Sequence, residues 1–491
     1  MALAMACQMA MAGTALITQV DYQGDDGGAV PTDAQYRNPV LAGFYPDPSA
    51  IRVGNAFYLV TSSFGYFPGL PVFKSSDLVK WTQIGNAIDR PGQINYGNDA
   101  LTRGLFAASI SHHDGTFYIA NTCFYCDGGN FLITAKDPAG PWSDPIWLDA
   151  KGIDPSLFFD DDGSAWLVNN DVPAGTLRYD GHRAIWLQQL DLARMKLVGP
   201  RQVIVDSGFQ PASNPEHIEG PHLFRRDGYY YLTAAEGGTG EQHAQMVYRS
   251  RQIAGPYEPW SGNPVLTQRD LDPARPAPIT SAGHAQFVEL ADGSWWAVFL
   301  ATRPYRGNHY TLGRETFLLP VQWRDGWPLV LPHGKAIPSV ATRPPLPAGT
   351  QATPTSGPMH WSERFDGARV PMQWMTIHPP RQPWFAPARP ACASPRRPSH
   401  WAPKARASPP ISATACSTTT PRWWPAWMAA TSPLANKPGW RWSPRKVISW
   451  PPCWCAKPPA MRWCCTAAPA RRSRPPAWSR RACRCPRSRN R

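Results

Sequence analysis

Three short segments of this 491-residue chain set a carboxylate beside proline or glycine. They are Tyr45-Pro-Asp47-Pro-Ser49, Ile153-Asp154-Pro-Ser-Leu157 and Ile218-Glu219-Gly-Pro-His222. Carboxyl groups that meet around one cavity can take a proton from one partner and give one to another, the work of general acid–base catalysis. Lying more than 60 residues apart along the chain, these three can meet only if the fold returns each to the same place.

A repeat supplies the means. Residues 37–345 contain many short aromatic and β-branched runs cut by Gly, Pro, Asn and Asp, a pattern that predicts an all-β fold. One hairpin recurs five times, with its glycine at Gly54, Gly115, Gly163, Gly228 and Gly293. Each is followed by a run such as Phe57-Tyr-Leu-Val60 or Trp295-Trp-Ala-Val298. Asp-Gly between strand residues marks a tight turn, because glycine accepts positive φ without strain. Turns 61, 48, 65 and 65 residues apart suit four-stranded blades, so the expected architecture is a five-bladed β-propeller. A β-sandwich is the alternative. Nine residues before the hairpin glycine lie Phe106, Asp154, Glu219 and His284, and Asp47 lies seven before Gly54. Equal parity sends all five side chains off the same face of their strands, toward one mouth of a central channel.

These segments resemble glycoside hydrolase family 43, the inverting β-xylosidase and α-L-arabinofuranosidase family. The motifs are Gly43-Phe-Tyr-Pro-Asp47-Pro-Ser49, Gly152-Ile-Asp154-Pro-Ser156, His217-Ile-Glu219-Gly-Pro221 and Ser281-Ala-Gly-His284. Ser62-Ser-Phe64-Gly-Tyr-Phe67-Pro-Gly69, Ala235-Glu236-Gly-Gly238 and Gly313-Arg-Glu-Thr-Phe317 are similar to the branch holding enzymes of xylan side chains. The resemblance implies an exo-acting glycosidase that releases terminal D-xylose or L-arabinofuranose from xylan-derived oligosaccharides. A non-catalytic carbohydrate-binding propeller, or an inactive enzyme lacking its accessory domain, is the other reading.

Matched by motif, Asp47 is expected as general base, Glu219 as general acid, and Asp154 as the residue that orients and tunes the acid. Such pairs stand about 6.5–9.5 Å apart to admit the attacking water. A third carboxylate near Glu219 would keep it protonated by like-charge repulsion, leaving Asp47 and Asp154 ionised. Glu216 competes for the acid role, but its parity on a regular strand is opposite. Phe64 and Phe106 are expected as platforms for a sugar ring, Arg303 as a sugar-subsite cation and Glu236 as a substrate or orienting contact. His284 is the expected neighbour of a channel calcium or sodium ion, met through water because such ions prefer oxygen. No cofactor is required. Cys123 and Cys126, lacking a second pair, argue for a local structural role or free thiols over zinc.

Composition limits the partners. The net charge of +14 resides in the tail: residues 367–491 hold 23 Lys and Arg and no acid, while residues 1–366 hold 26 against 35 Asp and Glu. An acidic body predicts no nucleic-acid partner. No stretch reaches the roughly 20 apolar residues of a membrane-spanning helix, so no membrane role is expected. Residues 1–36 read as a leader resembling a degenerate export signal, which implies the periplasm or cell exterior, with a cytoplasmic leader as the alternative. Residues 346–390 read as a linker and the opening of a β-sandwich. Residues 391–491, with 8 of the 11 cysteines, read as a disordered, out-of-frame translation of GC-rich DNA; a genuine basic extension is the alternative.

Overall fold

All five hairpin glycines adopt positive φ, from 60° at Gly54 to 84° at Gly163. A Cβ would meet nothing within 4 Å at Gly54, Gly115, Gly163 or Gly293. Turn conformation, and not crowding, therefore selects glycine there. The computed structural model describes residues 14–17, 19–24, 29–97, 100–126, 128–304, 309–310, 313–351, 353–365, 369–380, 385–387, 411–414 and 423–425. The chain divides into two units, residues 1–436 and 437–491. All the described residues belong to the first unit; the second lies outside them.

Around these turns stand five antiparallel sheets, each with its strands in chain order; only the first is interrupted, by the short strand Tyr66–Phe67, which pairs with Trp374–Ile377 instead. Their innermost strands are Ser49–Val53, Gly104–His113, Ile153–Phe159, Glu219–Arg226 and Thr280–Glu289, which begin blades 1 to 5. The chain is thus a five-bladed β-propeller, and the described residues hold no α-helix, only a 3₁₀ turn at Pro211–Ser213.

Its apolar core is five slabs, one between each pair of neighbouring blades. Val60, Leu70, Leu105 and Phe131 fill the first, Tyr118, Leu132, Leu157 and Leu167 the second. Ile185, Leu187, Leu223 and Leu232 form the third, and Val247, Phe299 and Phe317 the fourth. The fifth packs Tyr36, Leu41, Phe57 and Trp81 against Val298 and Leu318. Each blade is apolar on both faces because each face meets a neighbour. A fully buried side chain of this kind contributes roughly 1.5–3 kcal/mol.

Polar side chains tie the hub together. Ser49 Oγ accepts the Ile110 N–H at 2.9 Å, and Ser109 Oγ donates to the Pro155 carbonyl at 2.9 Å. Ser156 Oγ donates to the Pro221 carbonyl at 2.6 Å. Gln245 Oε1 accepts the Ala285 N–H at 2.7 Å, and Gln286 Oε1 accepts the Ala50 N–H at 3.0 Å. Each link spans adjacent blades, so the ring is hydrogen-bonded all the way round.

The ring closes through a segment that precedes blade 1. Val40 N–H donates to the Thr316 carbonyl at 2.9 Å, Thr316 N–H to the Leu41 carbonyl at 3.1 Å, and Tyr45 N–H to the Arg314 carbonyl at 3.1 Å. Residues 40–45 thereby run along the third strand of blade 5.

Two stretches outside the ring also carry strands. Val20–Gly24, within the expected leader, pairs with Met359–Glu363. There Trp361, Phe365 and Trp374 form a small separate core with Val20 and Tyr22. Most of the tail expected to be disordered lies outside the described residues. Its described residues are two short strands, Ile411–Thr414 and Trp423–Pro425.

Candidate active site

The carboxylates reach the channel through irregular backbone. Asp47 and Asp154 take φ of 52° and 54°, His284 51° and Gly220 56°. Strand register slips between Ile153 and Ser156, between Glu219 and His222, and twice between Thr280 and Gln286. Bulges of this kind re-aim side chains and collect strain at functional sites. The equal spacing from the hairpin glycines holds, but parity along a regular strand is not its cause. Asp47 precedes its strand, and Glu216 lies in a loop before Glu219 with its side chain 61% exposed.

Asp47, Asp154 and Glu219 gather at one mouth. The Gly220 N–H donates to Asp154 Oδ2 at 3.1 Å, joining blades 3 and 4 beside Glu219. Arg314 Nη1 donates to Asp47 Oδ1 at 2.6 Å, and Ser62 Oγ donates to Asp47 Oδ2. Beside Asp154 a small cavity of about 10 Å³ is lined by Ala108, Asp154, Gly220, His222 and His284, among others. A larger cavity, about 210 Å³, lies between blade 1 and residues 351–373, and its described walls carry no carboxylate, histidine or cysteine.

The three acids titrate differently. Burial alone would raise Asp47, but Arg314, His284 and the Ser62 hydroxyl outweigh it and hold the carboxyl below its ordinary value. Burial, then the charge of Asp47, pushes Glu219 up to about 7. Burial, then the charge of Glu219, pushes Asp154 well up. The expectation put a proton on Glu219 and full charge on Asp154; here both carboxyls are raised. The Gly220 N–H favours charge on Asp154, whereas Arg314 favours charge on both carboxyls and Arg183 on Glu219, so the two acids titrate together as a raised pair.

Phe64 and Phe106 stand together, ring centroids 5.4 Å apart, and both are half-buried. The Arg314 guanidinium lies 5.2 Å from the Phe64 centroid, so the aromatic wall adjoins Asp47. Arg303 Nε and Nη2 donate to Glu315 at 2.6 and 2.7 Å, and Glu315 also accepts the Gly43 N–H. Glu236 is buried beneath Gly208 and Phe209, accepting the Phe209 N–H at 3.0 Å, and burial lifts it to about 7.

His284 packs over Gly220, with Nδ1 4.0 Å from Asp47 Oδ1. A Cβ on Gly220 would sit 2.7 Å from the His284 ring. Gly220→Ala is therefore expected to lower stability by about 1–3 kcal/mol, read as a lower urea midpoint, and to disturb the Asp154 contact. The cavity shows imidazole from His222 and His284, which does not suit a hard cation directly. Among the described residues no group of three or more His, Cys, Asp or Glu could hold a metal ion.

Sequence reasoning missed Arg314, Ser62, His222 and the neighbouring buried His243. Arg314 lies inside the Gly313-Arg-Glu-Thr-Phe317 motif, and a cation beside that glycine was the available signal.

The sequence pattern described as Glycosyl hydrolases family 43 matches residues 36–328. A xylosidase/arabinosidase of Butyrivibrio fibrisolvens is 49% identical over 60% of this chain and 56% of its own length. A non-reducing end α-L-arabinofuranosidase of Bacteroides ovatus is 40% identical over 72% of this chain and 63% of its own. A crystal structure of a GH43_12 protein from a capybara gut metagenome superposes with a TM-score of 0.72 at 35% identity, covering 82% of this chain and 73% of that one. The chain thus spans 56–63% of the length of these two curated relatives.

Proposed function

Because the chain belongs to glycosyl hydrolases family 43, we propose that it is an exo-acting glycosidase releasing a terminal pentose from xylan-derived oligosaccharides with inversion. Relatives named for xylosidase and arabinofuranosidase activity support the substrate class. The observation that carries the reading is electrostatic: one mouth holds Asp47 ionised against Arg314 and a second carboxyl, Glu219, raised to about 7.

In this reading water gives a proton to Asp47 as its oxygen bonds to the anomeric carbon. The glycosidic C–O bond breaks, its electrons stay on the leaving oxygen, and Glu219 supplies that oxygen with a proton. Asp47 ends protonated and Glu219 ionised, and exchange with solvent restores both. Phe64 and Phe106 face the sugar ring. The substrate is a xylo- or arabino-oligosaccharide.

Initial rates on an aryl β-D-xyloside and an aryl α-L-arabinofuranoside test the reading, with proton NMR of the first-formed sugar reporting inversion. Turnover of neither substrate, or retained configuration, overturns it. The pH profile should fall on the alkaline side near 7, because the acid must be protonated and its pKa is raised to that value. The acidic side should lie below the ordinary aspartate range, because Asp47 must be ionised and its pKa is lowered.

A further inference from the structure

We propose that Tyr125, displayed on a disulfide-closed turn at the end of an aromatic run leading out of the candidate pit, is a binding platform for a second sugar ring of the substrate. The inference rests on the glycosidase reading.

Continuity carries it. Phe44 lies 6.1 Å from Phe64, Phe64 5.4 Å from Phe106, and Phe106 stacks on Phe124 at 4.5 Å. Tyr125 then meets Phe124 edge-on at 4.7 Å. The run starts beside Asp47, through Arg314 over Phe64, and ends at a tyrosine 65% exposed to solvent. Sugar rings stack on such surfaces through their axial C–H faces, and a tyrosine adds a hydroxyl that can bond a sugar hydroxyl. A run that is half-buried from the acids outward and ends exposed at the rim follows the course of a chain longer than one sugar.

The backbone holds Tyr125 in an unfavourable place. Its φ is 63°, in the left-handed region that a bulky residue rarely adopts. Such strain persists only where surrounding structure enforces it. Here Cys123 and Cys126 are joined by a disulfide that brackets Phe124 and Tyr125. Cys123 is buried in the first interblade slab, so the turn is anchored to the core. The Arg103 guanidinium lies 5.1 Å from the Phe124 ring and 4.3 Å from the Tyr125 ring. The disulfide is therefore the clasp that keeps the platform aimed, and the cysteine pair acquires a role beyond fold stability.

The test compares, for whichever pentose is released, its aryl glycoside with its di- and trisaccharide. Tyr125→Ala should lower kcat/KM on the oligosaccharides about tenfold, chiefly through KM, and leave the aryl glycoside within about twofold. Tyr125→Phe should recover most of the loss. Dithiothreitol should mimic Tyr125→Ala in the wild-type protein: two electrons and two protons pass to the disulfide, giving two thiols and the oxidised cyclic reagent. The double variant Cys123→Ser with Cys126→Ser should not respond to it. Equal losses on both substrates, or no loss on the oligosaccharides, overturn the proposal. If the wild-type protein turns over neither substrate, the glycosidase reading fails, and calorimetric titration with the trisaccharide decides the platform separately. Weaker binding by Tyr125→Ala supports it; equal affinity, or no binding by the wild-type protein, ends it.

Discussion

Glu219→Gln should reduce kcat/KM on a pentose disaccharide by about 10²–10⁴, the range spanned by a positioned general acid. The amide keeps the shape of the side chain but has no acidic proton to give to a departing sugar. A dinitrophenyl pentoside should lose far less, because its leaving group departs as a stable anion. Asp47→Asn should depress both substrates alike, since activation of water is needed whatever leaves. The alkaline fall near pH 7 should vanish in Glu219→Gln, because the group that titrates there is gone. An equal loss on the two substrates in Glu219→Gln would remove it from the acid role, and Asp154, the other raised carboxyl, would then take precedence.

The second large effect is expected at Arg314. Its pair with Asp47 is mostly withdrawn from water, the side chains being 21% and 4% exposed. Removing one partner of a buried pair leaves the other uncompensated, which typically costs about 3–5 kcal/mol. Arg314→Met should lower stability by that order and lower kcat at least about 100-fold. It should also move the acidic side of the pH profile upward: without the guanidinium, burial raises Asp47, and the base is lost at a higher pH as acid is added. Arg314→Lys should restore part of the rate, since it keeps the charge but not the fork. Pairing Arg314→Met with Asp47→Asn should return much of the stability and none of the activity, a combination that a double-mutant cycle reads directly. Arg303→Met offers the contrast, because its partner is Glu315: stability should fall without movement of the acidic limb.

What could be read from the sequence was whatever has a local chemical cause. Four Asp-Gly turns, and Gly54-Asn55 in the first, are encoded in two adjacent residues, so the five hairpins and hence the five blades were legible. The acids beside Pro and Gly recur at one distance from those turns, so Asp154 and Glu219 were legible with them. The bulges that aim these acids were not. Register slips at Ile153–Ser156 and Glu219–His222 depend on how one strand meets the next, and no residue type announces them. Between two arginines of one blade, the sequence reading assigned the sugar subsite to Arg303. Which of the two touches Asp47 depends on how residues 40–45 lie along blade 5. That contact spans 267 positions and has no local signature. The Cys123–Cys126 bridge was open for a similar reason, because spacing alone does not say whether two thiols face each other.

The strand contacts that seal residues 40–45 against Arg314–Thr316 also set a clock. As the chain emerges from a ribosome, Asp47, Asp154 and Glu219 are all synthesised well before Arg314, so four completed blades would carry every acid with the pit still unformed. Under the proposed function, hydrolysis would begin only once the last sheet has been translated and has captured the first residues of the ring. The onset of turnover during synthesis would therefore report the moment the circle shuts.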